Sequence, residues 1–250
     1  MKIAAVIPCR YQSSRFEGKP LALIGDKPMM WHVYQQASKA ASIAEVHIAT
    51  DDERIQEVCK ELGLSVLMTS SNHLTGTDRV AECARLLDAE IIVNVQGDEP
   101  FILPESIDAV AQSLAGCTDD VAATNAYCKI DNPEEVADPC VVKVLLSTSG
   151  FAMAYSRLGV PMPFRSQGQH LRQLGLYAFR RDSLDFFCRT SQGPVEQTES
   201  VEMYRFVEND RRVLMIEVDE SGIAVDTPAD LYKARLHFEK ISATHDDRPS

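Results

Sequence analysis

The sequence predicts an α/β fold with a mostly parallel central sheet, helices on both faces and a smaller inserted β sub-structure. Three features of the chain lead there. Apolar runs in the first 130 residues alternate with helix-length segments across short links, the pattern of strands joined by crossover helices. The first run, residues 2–7, carries apolar side chains nearly without a break, as a strand buried on both faces requires. After residue 130 the pattern changes, and the next strands are separated by a loop rich in Pro, Gly, Gln and Arg. With 250 residues, 45% hydrophobic and 25% charged, the chain can bury a full core. It reads as one domain over residues 1–240. Within it, about 130–210 form a sub-structure that covers a pocket or makes a dimer contact, and 241–250 are a polar, disordered tail.

Strands are expected near 2–7, 45–50, 65–68, 90–95 and 120–127, and helices near 28–42, 52–62, 76–88 and 104–116. Pro28 presets φ at a helix start, and Asp51 or Asp52 stands just ahead of the next helix as a start signal. Beyond 130, strands at 141–146, 151–157 and 171–180 precede a helix near 196–208, a strand at 212–218 and a last helix from Thr227 to about Lys240. Trp31 shares a helix face with Val33 and Tyr34, a core position.

Composition excludes several classes. No apolar run approaches the roughly 20 residues that span a bilayer, and the first residues lack the order of a signal peptide, so the expected location is the cytoplasm. Seven cysteines are scattered without a C-x-x-C pair or a histidine at ligand spacing, so buried, reduced thiols are expected. Cys9 differs, since cations around it would lower its pKa. A formal net charge of −12 argues against nucleic acid and anionic membranes, which demand a basic face. Gly18-Lys19 is followed by Pro20, so there is no P-loop, and neither G-x-G-x-x-G nor G-x-S-x-G occurs where a dinucleotide or hydrolase site needs it.

The chemistry concentrates at the ends of predicted strands. After the first, Arg10, Arg15 and Lys19 place three cations within ten residues of an otherwise acidic chain. With Ser13, Ser14 and the amides around Gly18 they form a candidate polyphosphate grip. Loops at the carboxyl ends of such strands are where open α/β sheets bind ligands. Asn94-Val95-Gln96-Gly97-Asp98-Glu99-Pro100 follows the strand Ile91-Ile92-Val93. Its paired carboxylates suit a hard cation such as Mg2+, which takes one or two carboxylates plus phosphate oxygens, or a helix cap. Asp226, ahead of Thr227-Pro228, has on local grounds the position of an N-cap. The segment 68–79 is rich in hydroxyl and amide groups, which read base edges and sugar hydroxyls or, at Thr75 and Thr77, cap a helix.

The segments 7–21, 49–55, 68–70, 75–79, 93–100, 142–144 and 225–228 occur in the order typical of 3-deoxy-manno-octulosonate (Kdo) cytidylyltransferases, or CMP-Kdo synthetases. The chain resembles that family over nearly its whole length. The resemblance implies a Rossmann-like nucleotide-transferase fold and a homodimer. The implied reaction transfers CMP from CTP to the anomeric hydroxyl of an eight-carbon acid sugar, with pyrophosphate release, for lipopolysaccharide or other surface-polysaccharide synthesis. By the same resemblance Arg10, Arg15 and Lys19 hold the triphosphate and, with Asp98, form the catalytic set. Pro8, Cys9, Ser13, Thr75 and Gly97 belong to the CTP site, where Thr69 and Ser70 border the cytosine, with Arg79 and Gln96 nearby. Gln96, Arg157, Gln173, Tyr177, Glu202 and Met203 are implied to face the sugar, and Asp98 and Asp226 to carry Mg2+.

Departures from the family pattern fall on the sugar side. The family's Trp-Asp-Arg element is missing after Pro161, its Arg-His-Leu-Gly reads Arg172-Gln173-Leu174-Gly175, and its Glu-Gln-Leu-Arg reads Glu202-Met203-Tyr204-Arg205. Gln173 and Met203 alter the hydrogen-bond inventory of the pocket, while Arg157, Arg172 and Tyr177 keep the expectation of an acidic acceptor. Kdo therefore stands beside amino-Kdo, a nine-carbon ulosonic acid or a phosphonate as acceptor. A non-catalytic nucleotide-binding module is disfavoured, because it has no use for Lys19, Asp98 and Asp226 together.

Overall fold

The computed structural model describes residues 1–12, 16–166, 168–219 and 223–246. Its first half follows the expected alternation: β1 (Ile3–Cys9), α1 (Met29–Lys39), β4 (Glu45–Thr50), α2 (Glu53–Glu61), β5 (Val66–Met68), α3 (Gly76–Ala84), β6 (Ile91–Val95), α4 (Pro104–Gly116) and β7 (Val121–Lys129). A small hairpin of β2 (Leu23–Ile24) and β3 (Lys27–Pro28) precedes α1. Pro28 is the N-cap of α1, and Asp52 caps α2 by accepting from the amide of Arg54.

The second half holds α5 (Pro133–Ala137), β8 (Lys143–Leu146), β9 (Ala152–Ser156), β10 (Leu171–Arg180), α6 (Arg181–Arg189), α7 (Pro194–Glu199), α8 (Tyr204–Val207), β11 (Arg212–Glu217) and α9 (Pro228–Asp246). The main sheet has the order β11-β7-β10-β6-β1-β4-β5, and β10 alone in that order runs against its neighbours. The antiparallel β8–β9 hairpin joins it through the pairing of Lys143 with Arg172, which is the inserted β structure.

Side chains of β1 alternate between two cores, as the period of a strand dictates. Ile3, Ala5, Ile7 and Cys9 pack on one face with residues of α1, α2 and α4. Ala4 and Val6 pack on the other with residues of α3, α6 and α8. Both faces of β1 are thereby buried, which explains its unbroken apolar run.

Four expectations need correction. The strand at 171–180 is not part of a separate sub-structure but lies inside the main sheet between β6 and β7, with Leu176, Ala178 and Phe179 fully buried. Residues 181–189 form α6, which begins on Arg180 without a side-chain cap and so lacked a start signal. The single helix near 196–208 is two short ones, because Ser200 takes a left-handed conformation at φ 53° and ends α7. The last helix continues six residues past Lys240, so the expected tail is helical to Asp246; residues 247–250 lie outside the described residues.

Candidate active site

The chain builds β1, β4 and β5 outward and then returns to place β6 on the other side of β1. That reversal leaves a crevice between the loops following β1 and β6, the position at which open α/β sheets take ligands. A cavity of about 740 Å³ opens there, lined by Pro8, Arg10, Gln12, Lys19, Thr75, Gly76, Gln96, Gly97 and Asp98 on one side and by Gln173, Tyr177, Glu196, Gln197 and Glu202 on the other. Because β10 is antiparallel, its N-terminal half sits at the carboxyl edge of the sheet. Gln173 and Tyr177 therefore face residues that leave β1 and β6.

Lys19 lies in the wall of the cavity formed by the loops after β1 and β6. Its Nζ donates to Asp98 Oδ2 at 2.8 Å and to Asp226 Oδ1 at 3.2 Å. Burial alone would lower the pKa of this ammonium, but the two carboxylates outweigh it and hold the value above that of an ordinary lysine. Gly18, at φ 67°, donates its amide to the Tyr11 carbonyl at 2.8 Å and turns the chain so that Lys19 points inward. The two acid loops are tied by the Val225 amide, which donates to the Asp98 carbonyl at 2.9 Å. Asp226 is not the cap of α9. Thr227 and Asp230 fill that role reciprocally, Thr227 N to Asp230 Oδ2 at 3.1 Å and Asp230 N to Thr227 Oγ1 at 3.3 Å, which leaves Asp226 turned toward Lys19. Glu99 is not a cap either, since α4 starts from Leu103 with Pro104 in its first turn. Two carboxylates reaching one cation, beside a cavity fit for phosphates, make a donor set that suits Mg2+. Among the described residues no group of three or more His, Cys, Asp or Glu converges, so substrate oxygens would complete the coordination.

Gly97 permits the close approach of the β6 loop to the β1 loop. A Cβ there would lie 3.0 Å from the Pro8 carbonyl oxygen and 3.1 Å from Cys9 Sγ. Gln96 in turn packs on Gly175, where a Cβ would stand 2.6 Å from its Cγ. From Gln96 a polar chain runs through buried side chains to Glu202 on the other wall of the cavity. Gln96 Nε2 lies 3.5 Å from Asn94 Oδ1, Asn94 Nδ2 donates to Thr77 Oγ1 at 3.1 Å, and Thr77 Oγ1 donates to Glu202 Oε1 at 2.8 Å. Burial raises the pKa of Glu202 despite these bonds. Gln173 Nε2 donates to the Tyr177 hydroxyl and to the Leu174 carbonyl, both at 2.8 Å. Burial, with Glu202 nearby, pushes the Tyr177 phenol well up.

A second cavity, about 270 Å³, shares Arg10 with the first and is lined by Tyr11, Gln12, Asp51, Asp52, Ser71, His73 and Arg79. Burial, then the neighbouring Arg79, lowers the pKa of Arg10. Arg79 is 1% exposed and pairs with Asp51 at 3.1 Å while donating to Thr69 Oγ1. It thus fastens the loops after β4 and β5 to α3. The Ser70 amide donates to Glu82 at 3.0 Å. Thr75 caps α3 in a capping box with Asp78 and lines the main cavity as well.

Several expected site residues stand elsewhere. Cys9 faces the core of α1, α2 and α4, and burial raises its thiol pKa far above the ordinary value, the reverse of the expected activation. Arg157 spends its guanidinium on the carbonyls of Glu199, Pro139 and Ser200, at 2.6, 2.8 and 3.2 Å, and lines neither cavity. Met203 is wholly buried in the other core, because the break at Ser200 rotates it inward. Arg172 lies 3.6 Å from Glu135. Ser13, Ser14 and Arg15 lie outside the described residues. No local pattern in the sequence marked the bond from Thr77 to Glu202, Asn94, or the set of Asp78 with the buried Arg205 and Glu196, in which Arg205 pairs with Glu196 Oε2 at 2.9 Å and stands 3.6 Å from Asp78. Their partners are distant in sequence, 125 residues for Thr77 and Glu202, so no local spacing could have announced them.

A cationic grip and an acid pair at the switch point of this sheet define a nucleotidyltransferase, and residues 4–216 match the family model described as Cytidylyltransferase. A 3-deoxy-manno-octulosonate cytidylyltransferase of Solibacter usitatus is 42% identical over 242 residues, covering 95% of each chain. That of Escherichia coli is 39% identical over 236 residues, 94% of this chain and 95% of its own. A solved CMP:2-keto-3-deoxy-manno-octonic acid synthetase complexed with CTP superposes with a TM-score of 0.92 at 36% identity, covering 96% of this chain and all of that one. The chain belongs to the 3-deoxy-manno-octulosonate cytidylyltransferase family.

Proposed function

We propose that the protein transfers CMP from CTP to the anomeric hydroxyl of Kdo, releasing pyrophosphate and supplying the activated sugar for lipopolysaccharide synthesis. The observation that carries this reading is the single cavity in which Arg10, Lys19 and Asp98 meet the polar wall of Gln96, Gln173, Tyr177 and Glu202. The hydroxyl oxygen attacks the α-phosphorus and gives up its proton to solvent, a new P–O bond forms, and the bond to the bridging oxygen breaks as pyrophosphate leaves. Such a displacement needs positioning and charge stabilisation and no covalent nucleophile. Arg10 and Lys19 hold the phosphates, and the close approach of Gly97 to Pro8 keeps the two loops in register. Gln96, Gln173, Tyr177 and Glu202 orient the acceptor. A Mg2+ ion held by Asp98 and Asp226 with phosphate oxygens would stabilise the charge developing on the transferred phosphate. Arg79, which lines the second cavity, with Thr69, to which it donates, and the neighbouring Ser70, would form the side from which the base is approached.

We place this reaction in the cytoplasm, where CTP is made. The described residues contain no helix long and apolar enough to cross a membrane. A homodimer is supported by Leu158, Met162 and Phe164 of the inserted segment, which are 74%, 79% and 83% exposed, an apolar run that a second copy would cover. Light scattering at twice the chain mass is the expected result, and a monomer at micromolar concentration would refute it. The site assignment is tested by Asp98→Ala. Pyrophosphate release from CTP and Kdo should fall by about 100-fold or more, whereas undiminished release would show that Asp98 holds no metal.

A further inference from the structure

We infer that Lys19 is a tethered cation that keeps the metal position of Asp98 and Asp226 filled until nucleotide and metal arrive together. The inference rests on the reading of those acids as metal ligands. Its observation is the geometry at Nζ, 2.8 Å from one carboxylate and 3.2 Å from the other. The acids are brought together by the backbone, through the bond from the Val225 amide to the Asp98 carbonyl, so they stay close whether or not a cation lies between them. Two carboxylates so placed repel unless a positive charge separates them. Lys19 supplies that charge from a fixed start, the 3-10 turn Lys19–Leu21 entered through left-handed Gly18, on a flexible four-carbon stem.

An ammonium there neutralises one of the two carboxylate charges and competes directly with a free divalent ion. The nucleotide-free protein should therefore bind metal weakly. CTP alters the balance because its triphosphate offers the same ammonium a second set of anionic acceptors in the adjoining cavity, which Lys19 also lines. Lys19 then exchanges the carboxylates for phosphate oxygens, and the two acids are left for the metal that the phosphates carry. Metal and nucleotide would bind as one ordered unit, and Lys19 would serve in turn as placeholder and phosphate clamp.

The test uses Mn2+ as the probe, with free ion read by electron paramagnetic resonance. Without nucleotide, Lys19→Met and Lys19→Gln should each bind Mn2+ about tenfold or more tightly than the wild type. The added change Asp226→Asn should remove the gain. A second readout is thermal: millimolar Mg2+ should raise the melting temperature of the Lys19 variants more than that of the wild type, since in the variants the ammonium no longer competes with the ion for the acid pair. Equal Mn2+ affinity in wild type and variants, with tighter binding in the wild type once CTP is added, would overturn the placeholder role and leave the metal reading standing. Failure of the wild type with CTP to bind more Mn2+ than CTP alone would overturn both.

Discussion

Gln173 reaches Tyr177 and the Leu174 carbonyl with one amide nitrogen, so its carbonyl oxygen remains to serve the cavity it lines. Truncation to Ala would remove that acceptor and free the Tyr177 hydroxyl from its donor. Gln173→Ala should raise the KM for Kdo about tenfold, the scale of one net hydrogen bond, with the KM for CTP unchanged. Steady-state kinetics with each substrate varied separately checks this, and an equal rise in both constants would contradict it. Met203 belongs to a different argument. It is buried among Phe179, Phe187 and Phe206 in the core, and the departure from the family pattern at that position is a matter of packing, so the acceptor pocket of this chain is polar chiefly through Gln96, Gln173, Tyr177 and Glu202.

Short elements with capped ends set most of the site. The reciprocal cap between Thr75 and Asp78 fixes the first turn of α3, and Thr77 and Arg79, which follow from that turn, reach Glu202 and Asp51. Thr75→Ala should cost about 1 kcal/mol of stability and raise the KM for CTP, measured by denaturant unfolding and kinetics; an unchanged unfolding midpoint would argue that the cap is dispensable. The strand-end motifs of β1 and β6 were legible in the sequence because each is a local run, an apolar strand followed at once by charged or glycine residues. The α7–α8 region was not. Its break depends on the left-handed Ser200 and on the Glu208 carboxylate, which accepts from the amides of Val195 and Glu196 at 3.0 and 2.9 Å from more than ten residues away. Arg157, expected at the sugar from the resemblance alone, donates instead to backbone carbonyls of Glu199, Ser200 and Pro139, partners that no local pattern around it discloses.

In the molecule as a whole, topology sets the two walls of one cavity against each other. Reversal of strand order between β1 and β6 opens the crevice, and the antiparallel insertion of β10 carries Gln173 and Tyr177, the proposed acceptor wall, to the same edge of the sheet. A polar chain from Gln96 to Glu202 and the set of Asp78, Arg205 and Glu196 then tie α3 to α7 and α8. CMP transfer to Kdo is the claim on which these arguments converge. Phosphorus NMR of purified protein with CTP and Mg2+, offered Kdo in one sample and amino-Kdo, a nine-carbon ulosonic acid or a phosphonate in others, tests it most directly. CTP should be consumed with Kdo to give pyrophosphate and one new phosphodiester resonance; consumption only with another acceptor, or none with any, would refute CMP transfer to Kdo.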